Sequence, residues 1–529
     1  MRLGYYSPAT GGFTNELKLP AASSEKFGIF AELDGLKAPT ANWIRVSAFP
    51  NVLAEKENHD REHATRSTNA APFAFNGILS QTNQEDWFVF PAIKDVPIEL
   101  NVFARRLRSP LDSEIAVYDV NGKSIASNDD SAGPDSVVKF TPSESTNYFV
   151  RIRDTMGQGG RDFVYRIEVT PAEATIQVKI PEVARNDTQS RQYIPVPRGN
   201  RFATLISAKR ANFKSDLIFS AADLPAGMHL LSDPMPANQD SWPLVFEADT
   251  NAPIAGKLLD LIATGTNNGH AVTGNFGQEI ELVPGPNNTV FYTTHVEKLC
   301  AAVTKEAPYH LRIVEPKAPL VQDGSMRLEV IAERVAGFDE PIEVKMVWNP
   351  PGVSSQSEAT IAKGTTNVFY QLNANGGAEV RTWKIALLGR ATVEGGDVFV
   401  STQPAQLEVA SPFISGKIET LWLNPGKTNQ LTVNIQQLKP FEGKAAIRLQ
   451  GLPDKVTATA MEITKTNQDV VFEVAADPQC PVGSHKNLFC SVDIEQNGQV
   501  IPHNLAAGAV IRVVPPKKSE TPKKVATTK

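Results

Sequence analysis

The chain has 529 residues, of which 41% are hydrophobic and 21% are charged, and these fractions are ordinary for folded domains. The net charge of −6 argues against nucleic acid as a partner, because nucleic-acid binding needs a concentrated basic surface. The 35 glycines and 38 prolines are spread along the sequence, which predicts frequent turns and few long helices. No run of 18 apolar residues occurs, so no membrane span is predicted. The length predicts three to five domains.

Residues 1–50 contain short strand patterns but too few apolar residues for a core of their own. We interpret them as a partial β domain. The first residues, Met1–Ser7, turn polar at once and contain no apolar segment of the kind found in signal peptides. The chain is therefore either cytoplasmic or begins upstream of residue 1 in nature, and the partial domain at residues 1–50 favours the second interpretation. Residues 51–70 are polar and rich in charge, and are predicted to be a linker.

This predicted linker contains His59-Asp60-Arg61-Glu62-His63, which fits the H-x-x-E-H pattern of one class of zinc peptidases. In that class, two histidines one helical turn apart bind zinc and the glutamate acts as the general base. The flanking residues here offer no apolar stripe that would bury such a helix. A solvated linker is therefore the favoured interpretation, and no catalytic site is predicted.

Residues 71–171 form a separate unit with alternating apolar and polar residues, the pattern of half-buried strands. Phe163, Tyr165, Ile167 and Val169 are one such series. Asn121-Gly122 between two strand patterns is a strong hairpin signal.

Residues 71–170 resemble the bacterial pre-peptidase C-terminal domain. The resemblance rests on the following residues: Gly77-Ile78-Leu79, Asp86-Trp87-Phe88-Val89-Phe90, Leu111–Asp119 with Asn121-Gly122, Asn128-Asp129-Asp130, Asp135-Ser136, and Tyr148–Ile152. The turn Ser145-Thr146-Asn147-Tyr148 departs from the Gly-Thr-Tyr turn that is common in the family. The resemblance implies a small, non-catalytic jelly-roll β-sandwich of exported bacterial proteins, some members of which bind polymers or calcium.

Five oxygen-bearing residues of this unit are candidate calcium ligands: Asp112, Asn128, Asp129, Asp130 and Asp135. Calcium takes six to eight oxygens from carboxylates, amides and backbone carbonyls. The alternative is turn chemistry, because Asn and Asp side chains hydrogen-bond the nearby backbone in loops. Both interpretations remain open from the sequence, and no other cofactor is predicted.

A pattern of turn and core residues occurs three times in the remaining chain. Each copy has a turn glycine, a phenylalanine 14 or 15 residues later, and a proline 12 residues after that: Gly199, Phe213 and Pro225; Gly324, Phe338 and Pro350; Gly426, Phe441 and Pro453. A period of about a hundred residues suits β-sandwich domains rather than solenoid units. We predict three tandem immunoglobulin-like sandwiches with separate cores, in which each of these phenylalanines is buried.

The predicted boundaries are 172–306, 307–410 and 411–516, followed by a disordered, Lys- and Pro-rich tail at 517–529. Within the first copy, Pro284–Thr304 is interpreted as a connector. The fold class predicted for the whole chain is all-β: one jelly-roll sandwich followed by three immunoglobulin-like sandwiches.

The remaining reactive residues show no catalytic pattern. Three cysteines, Cys300, Cys480 and Cys490, are too few for a disulfide framework; one bridge between Cys480 and Cys490 is the alternative, and free thiols are the expectation. Five tryptophans could form a binding platform but are expected to fill cores instead: Trp87, Trp242, Trp348, Trp383 and Trp422. The six histidines outside the linker are scattered singly: His229, His270, His295, His310, His485 and His503.

These observations favour a non-catalytic, multi-domain protein of the bacterial cell exterior with a role in ligand binding, in adhesion or as a spacer. The alternative is the C-terminal accessory region of a secreted peptidase whose catalytic domain is not in this chain. The expected partner is an extracellular polymer or protein, and the chain is expected to be monomeric. A secreted, periplasmic or cell-surface location follows from the family resemblance.

Overall fold

The computed structural model describes residues 2–7, 11–130, 133–183, 188 and 191–514. In these ranges the chain is built of β-strands and turns and has no α-helix, so the all-β prediction is confirmed. Two compact units are present: unit 1 comprises Met1–Ala174 with Ala211–Phe213, and unit 2 comprises Thr175–Arg210 with Lys214–Lys529. The predicted disordered tail, 517–529, lies outside the described residues.

The start of unit 1 consists of short antiparallel pairs. The strands are β1 (Arg2–Ser7) with β2 (Gly11–Glu16), β3 (Ser24–Ile29) with β6 (Asn42–Val46), and β4 (Glu32–Leu33) with β5 (Leu36–Lys37). Arg45 of β6 donates two hydrogen bonds to Glu168, at 2.8 and 2.5 Å, and its guanidinium lies 4.0 Å from the centre of the Phe103 ring. The residues predicted to be a partial domain thus pack against the sandwich that follows.

Ten strands build this sandwich. They are β7 (Asn51–Leu53), β8 (Thr65–Arg66), β9 (Phe73–Ile78), β10 (Glu85–Ala92), β11 (Ile98–Phe103), β12 (Ser113–Tyr118), β13 (Ser124–Asn128), β14 (Val137–Phe140), β15 (Thr146–Asp154) and β16 (Val164–Pro171). One sheet has the order β13-β12-β15-β10-β8 and the other β14-β11-β16-β9-β7. Successive strands mostly alternate between sheets, which is the jelly-roll arrangement predicted for residues 71–171.

The core of this sandwich is aromatic. The Phe75 ring stacks on that of Phe88 with centroids 4.3 Å apart, and Phe73 and Phe90 complete the group. Strand β15 alternates buried and partly exposed residues along its length, as period-two patterning requires.

The segment 51–70 is not a linker as the sequence suggested, because both of its ends form strands of the sandwich. Strand β7 pairs in parallel with β9, and β8 pairs in parallel with β10. The pairings are only three and two residues long, and strands this short carry too few residues to show an alternating pattern.

Unit 2 begins with copy 1 of the repeat. Its strands are β17 (Thr175–Lys179), β18 (Tyr193–Pro197), β19 (Arg201–Ala211), β20 (Ile218–Ala222), β21 (Met228–Leu231), β22 (Ser241–Ala248), β23 (Ala255–Asn267), β24 (His270–Asn275), β25 (Gln278–Pro284), β26 (Val290–Val296) and β27 (Leu299–Thr304). The sheets are β17-β19-β22-β21 and β18-β27-β23-β20, with β24 paired to β23. The prediction that Pro284–Thr304 is a connector is wrong. This segment contains strand β26, which forms a hairpin with β25, and it also contains β27, which is a strand of the sandwich.

Copies 2 and 3 follow. The strands of copy 2 are β28 (Tyr309–Ile313), β29 (Leu320–Val321), β30 (Ser325–Arg334), β31 (Ile342–Met346), β32 (Val353–Ser355), β33 (Ala359–Ile361), β34 (Asn367–Ala374), β35 (Arg381–Ile385), β36 (Leu387–Val393), β37 (Gly396–Ser401) and β38 (Ala405–Ala410). Those of copy 3 are β39 (Ile414–Ile418), β40 (Leu421–Leu423), β41 (Thr428–Gln437), β42 (Ala445–Gln450), β43 (Val456–Ala458), β44 (Met461–Ile463), β45 (Asp469–Ala476), β46 (Gly483–Gln496) and β47 (Gln499–Val513).

Both copies are built from sheets of three to five strands. Copy 2 has three sheets, with the orders β28-β30-β34-β32, β33-β31-β36-β37 and β29-β38-β35. Copy 3 has the sheets β39-β41-β45-β43 and β40-β47-β46-β42-β44.

The proline of each copy begins the same turn. Its carbonyl accepts a hydrogen bond from the backbone N–H three residues later, at 3.0 Å from Pro225, 2.9 Å from Pro350 and 3.1 Å from Pro453. The residue two after each proline has a positive φ: Gly227 (75°), Gly352 (76°) and Lys455 (58°). The sequence repeat therefore corresponds to a repeated backbone structure.

The prediction that all three repeat phenylalanines are buried holds for one of them. Phe441 is 5% exposed in the core of copy 3. Phe213 and Phe338 are only half-buried, and the Phe338 ring stacks on Tyr309 with centroids 5.7 Å apart. Phe338 lies in the loop between β30 and β31, where the chain has left the sheets and a side chain reaches only the margin of the core.

Candidate functional site

Unit 1 contains a cleft of about 920 Å³, which we call the Asp86 cleft. It lies where the segment after β7 passes the ends of β9, β10 and β16. Its lining residues are Leu53–His59, Asn76–Ile78, Ser80, Gln81, Gln84, Asp86, Arg161, Val164 and Tyr165. Acidic, basic, amide and aromatic side chains all face this space, so it offers donors and acceptors to a polar ligand.

Asp86 anchors the inner wall of the cleft. It is 1% exposed, and its carboxylate accepts hydrogen bonds from Gln84 Nε2 at 2.7 Å and from the Tyr165 hydroxyl. Burial, together with the adjacent Asp86 charge, raises the pKa of Tyr165 well above its usual value. Tyr165 therefore stays protonated and keeps donating to Asp86.

His59 reaches the same carboxylate, with Nδ1 3.2 Å from Asp86 Oδ1. A histidine held by a buried carboxylate has its ring orientation fixed, and its Nε2 remains available to a ligand or proton donor. The imidazole is 41% exposed. His59 therefore offers a polar contact at the edge of the cleft.

The two histidines of the H-x-x-E-H segment do not converge. His59 contacts Asp86, whereas His63 Nδ1 lies 2.9 Å from Asp60 Oδ1, and residues 56–63 form turns and bends rather than a helix. The hydrogen bond between His63 and Asp60 raises the pKa of the histidine and lowers that of the aspartate. The zinc-peptidase geometry, which needs both histidines on one helical face, is not formed by this segment.

Asp135, one of the five calcium candidates, serves as a backbone cap. It is 2% exposed and accepts from the backbone N–H groups of Ala104 (3.2 Å), Arg105 (2.6 Å) and Arg106 (3.2 Å) and from Arg106 Nε (2.8 Å). These groups belong to the 3-10 turn Arg105–Leu107, whose first N–H groups lack partners within the turn. The surrounding donors already occupy both oxygens of Asp135.

Of the other four candidates, Asn128 ends strand β13, and Asp112, Asp129 and Asp130 lie in loops. Asp112 pairs with Arg105 at 3.2 Å. Asn128 Oδ1 accepts from the Val137 N–H at 3.0 Å, and Asp129 Oδ1 accepts from the Asp130 N–H at 3.0 Å. Asp129 and Asp130 are exposed. Within the described parts of the chain, no three His, Cys, Asp or Glu side chains are grouped to hold a metal ion. The choice between calcium binding and turn chemistry at these residues stays a prediction.

Copies 1 and 2 of unit 2 meet at an aromatic contact, the first junction. The Trp242 ring of copy 1 lies 4.9 Å from Trp348 and 6.3 Å from Trp383, both in copy 2. Trp242 and Trp383 are 5% and 2% exposed. An ion pair of 2.8 Å joins Lys384 to Asp233 beside them. Trp242 and Trp383 are thus buried, as predicted, but at an interface rather than in the core of a single sandwich, and Trp348 is only half-buried.

Copies 2 and 3 meet at the second junction, which is made largely by backbone. The Asn504 N–H donates to the Asp323 carbonyl at 2.8 Å, and Gly324 forms an isolated antiparallel bridge with His503. Lys317 lies between two side chains of copy 3, accepting from Asn497 Nδ2 at 3.1 Å and donating its N–H to Gln499 Oε1 at 2.9 Å. Ala318 and Val321 of copy 2 belong to the same apolar cluster as the core of copy 3.

His503 is buried at the second junction, with 1% exposed. The backbone of Ile414 and Ile501 approaches the ring, yet neither ring nitrogen has a partner with hydrogen-bond geometry among the described residues. Burial lowers the pKa of His503 to about 4, and the charge of Asp493 opposes this only in part. Asp493 is itself paired with Arg448.

Of the other residues singled out in the sequence, the three cysteines are free, as predicted. Cys300 is exposed and the other two are buried; burial raises the pKa of the Cys490 thiol to about 12. Trp422 was expected in a core, but it is 51% exposed, with Arg512 5.0 Å from its ring centre. No described helix is long and apolar enough to cross a membrane.

Sequence reasoning missed the Asp86 cleft and both junctions. The one signal for the cleft was Asp86 itself, an ionisable residue that follows Glu85 in β10 and directly precedes an apolar run. The junctions left no such signal, since tryptophans of an interface have the same sequence pattern as tryptophans of a core.

Comparisons with known proteins give only distant likenesses. No family model matches the chain, and no curated protein matches it. A protein of unknown function from Porphyromonas gingivalis W83 aligns with 14% identity over 39% of this chain and all of its own, with a TM-score of 0.15. A three-immunoglobulin segment of titin aligns with 11% identity over 65% of this chain and all of its own, with a TM-score of 0.13.

Domains 4–9 of the surface layer protein SbsC align with 11% identity over 76% of this chain and 58% of theirs, with a TM-score of 0.19. TM-scores this low carry no argument about function. The fold assignment rests on the sheets described above, and the pre-peptidase C-terminal resemblance rests on its sequence motifs.

Proposed function

We propose that this chain is a non-catalytic part of a protein of the bacterial cell exterior, in which unit 2 acts as a spacing element and unit 1 binds a ligand. The observation that carries the proposal is the pair of junctions in unit 2. Tandem domains joined by bare linkers move independently, whereas buried contacts between neighbours restrict that motion. Three copies linked by a tryptophan cluster and by backbone hydrogen bonds are suited to hold their ends at a fixed separation.

Ligand binding is assigned to unit 1 because the Asp86 cleft is a concave surface of about 920 Å³ that is lined by mixed polar groups. The resemblance of residues 71–170 to the pre-peptidase C-terminal domain supports both an exported location and a polymeric or protein ligand. The ion pair of Arg45 with Glu168 holds strand β6 against the sandwich, and Arg166, on the same strand as Glu168, pairs with this carboxylate as well. Burial alone would raise the pKa of Glu168, but the two arginines outweigh it and lower that pKa.

The absence of catalysis is part of the proposal and has its own test. The purified chain, supplied with zinc, should cleave casein no faster than buffer does. His59→Ala serves as the comparison, because His59 is the histidine nearest to the cleft. Zinc-dependent cleavage that disappears in His59→Ala would refute the non-catalytic assignment.

Ligand binding can be tested by co-sedimentation of the chain with insoluble peptidoglycan, cellulose, chitin and collagen. We expect one of these polymers to retain the chain, and Gln84→Ala with Arg161→Ala to weaken retention without unfolding. A matched control is Arg390→Ala, which removes an exposed arginine from copy 2. Retention that is unchanged by the cleft substitutions would place the binding surface elsewhere.

The second candidate is the accessory region of a secreted peptidase. The same family resemblance supports it, since pre-peptidase C-terminal domains accompany such enzymes. An in-frame peptidase domain upstream of residue 1 in the gene would decide for this candidate, and a different upstream domain would decide against it.

A further inference from the structure

The hairpin β25–β26 of copy 1 is an unusual feature of unit 2. Among the strands that the structure describes, β25 and β26 pair only with each other. Large apolar side chains along the hairpin are exposed: Leu282 by 53%, Val283 by 49%, Phe291 by 67% and Tyr292 by 60%. A two-stranded ribbon with exposed apolar residues is marginally stable by itself, and further strands would stabilise it.

The two outer edges of the hairpin differ. Strand β25 carries Glu279 and Glu281, has register shifts around Val283 and ends at Pro284. Charges, bulges and proline are the features that prevent an edge from pairing with another chain. Strand β26 has no charged residue and no proline from Val290 to Thr294, where its residues are Val, Phe, Tyr and Thr, and its one irregularity is the register shift at Phe291. The β26 edge is therefore open to a new strand, whereas the β25 edge is protected.

A second copy of the same strand fits this open edge. If two β26 strands pair antiparallel about a two-fold axis at the central residue, Thr293 faces Thr293, Tyr292 faces Thr294 and Phe291 faces His295. Val290 then faces Val296. No two like charges are opposed, and aromatic residues face a threonine or a histidine across the pair. The strand is thus complementary to itself.

We propose that the chain self-associates through the β26 edge, giving a four-stranded ribbon in the order β25-β26-β26-β25. The protected β25 edges form the two outer margins of this ribbon, so the assembly closes at two copies and does not grow into a fibre. This dimer replaces the monomer expected from the sequence. A lipid surface suits the hairpin less well, because its tip, Pro286–Thr289, is polar rather than apolar.

Paired charge substitutions at Thr293 test the proposal. Sedimentation velocity of the full chain over a range of concentrations should show a reversible dimer. Thr293→Lys and Thr293→Glu place like charges opposite each other at the two-fold axis, and each should weaken dimerisation by about fivefold or more. An equimolar mixture of the two variants places opposite charges there and should restore association.

Thr360→Lys is the matched control. Thr360 is an exposed threonine of β33 that faces Glu343 across an antiparallel pair, just as Thr293 faces Glu281. The Thr360→Lys variant should dimerise like the wild type. A wild-type chain that stays monomeric at every concentration, or variants and mixture that associate equally, would overturn the proposal. So would a monomer that binds anionic phospholipid vesicles through the hairpin and loses this binding in Thr293→Glu, whose added negative charge is repelled by the lipid.

Discussion

Acidification should weaken unit 2 through His503, the buried histidine of the second junction. Its ring lies on β47 beside the bridge to Gly324 and has no partner of hydrogen-bond geometry among the described residues. Protonation would put a positive charge in an apolar setting, where the backbone of Ile501 and Ile414 and the charge of Asp493, already paired with Arg448, offset the cost of burial only in part. The folded chain therefore resists protonation that the unfolded chain accepts.

The size of the effect follows from the two pKa values of His503. The folded value is about 4, and the unfolded value is about 6.5. Between these values the unfolded state binds more protons, so the free energy of unfolding falls as the pH decreases from about 6.5 and levels off below about 4. From pH 7.5 to pH 4.5 the expected loss from His503 alone is about 2.5 kcal/mol.

The assay is urea unfolding of the full chain at pH 7.5 and pH 4.5, with the wild type compared against His503→Met. Methionine fills a similar volume and has no group that titrates, so it should remove this contribution while the carboxylates titrate equally in both proteins. We expect the wild type to lose about 2.5 kcal/mol more than the variant over this interval. Equal losses in both proteins would refute the argument.

Three further predictions concern other sites. Trp348→Ala removes the tryptophan that contacts both Trp242 and Trp383. In a denaturant titration it should lower the free energy of unfolding of unit 2 by about 2–4 kcal/mol. Trp422→Ala, at an exposed position, is the control and should lower the free energy of unfolding by less than about 1 kcal/mol. The melting temperature of the chain should be the same in millimolar calcium and in chelator, because Asp135 already accepts four hydrogen bonds. If calcium instead raises the melting temperature by several degrees, and Asp129→Asn abolishes this rise, the calcium site is established. A thiol reagent at pH 8 should label Cys300 alone in the native chain and all three cysteines in denaturant, and rapid native labelling of Cys490 would contradict its burial.

The sequence predicted the features that depend on local pattern. Alternating residues such as Tyr148, Val150 and Ile152 identified strands, and the turn prolines Pro225, Pro350 and Pro453 marked equivalent backbone turns in three copies. These predictions succeeded because pleating and turn formation are decided by residues close together in the chain.

Features that depend on the approach of distant segments could not be predicted in the same way. Phe338 has the same spacing as Phe441, yet it lies at the margin of its sandwich because burial depends on where the loop meets the sheets. Asp135 has a carboxylate of the kind that binds metal ions, but this carboxylate accepts hydrogen bonds from a turn some thirty residues away in the sequence. Trp242, Trp348 and Trp383 meet across two copies, a contact that no local pattern specifies.

The central claim, that the three copies of unit 2 behave as one element, is tested most directly by calorimetry of Phe441→Ala. Phe441 lies in the core of copy 3, and its position in the sequence is remote from copies 1 and 2. Its truncation to alanine should lower the free energy of unfolding by about 3–5 kcal/mol. If the junctions couple the copies, the whole unfolding transition of unit 2 shifts to lower temperature as a single peak. If the copies are independent, one transition moves down and the transitions of copies 1 and 2 stay in place, which would contradict the account.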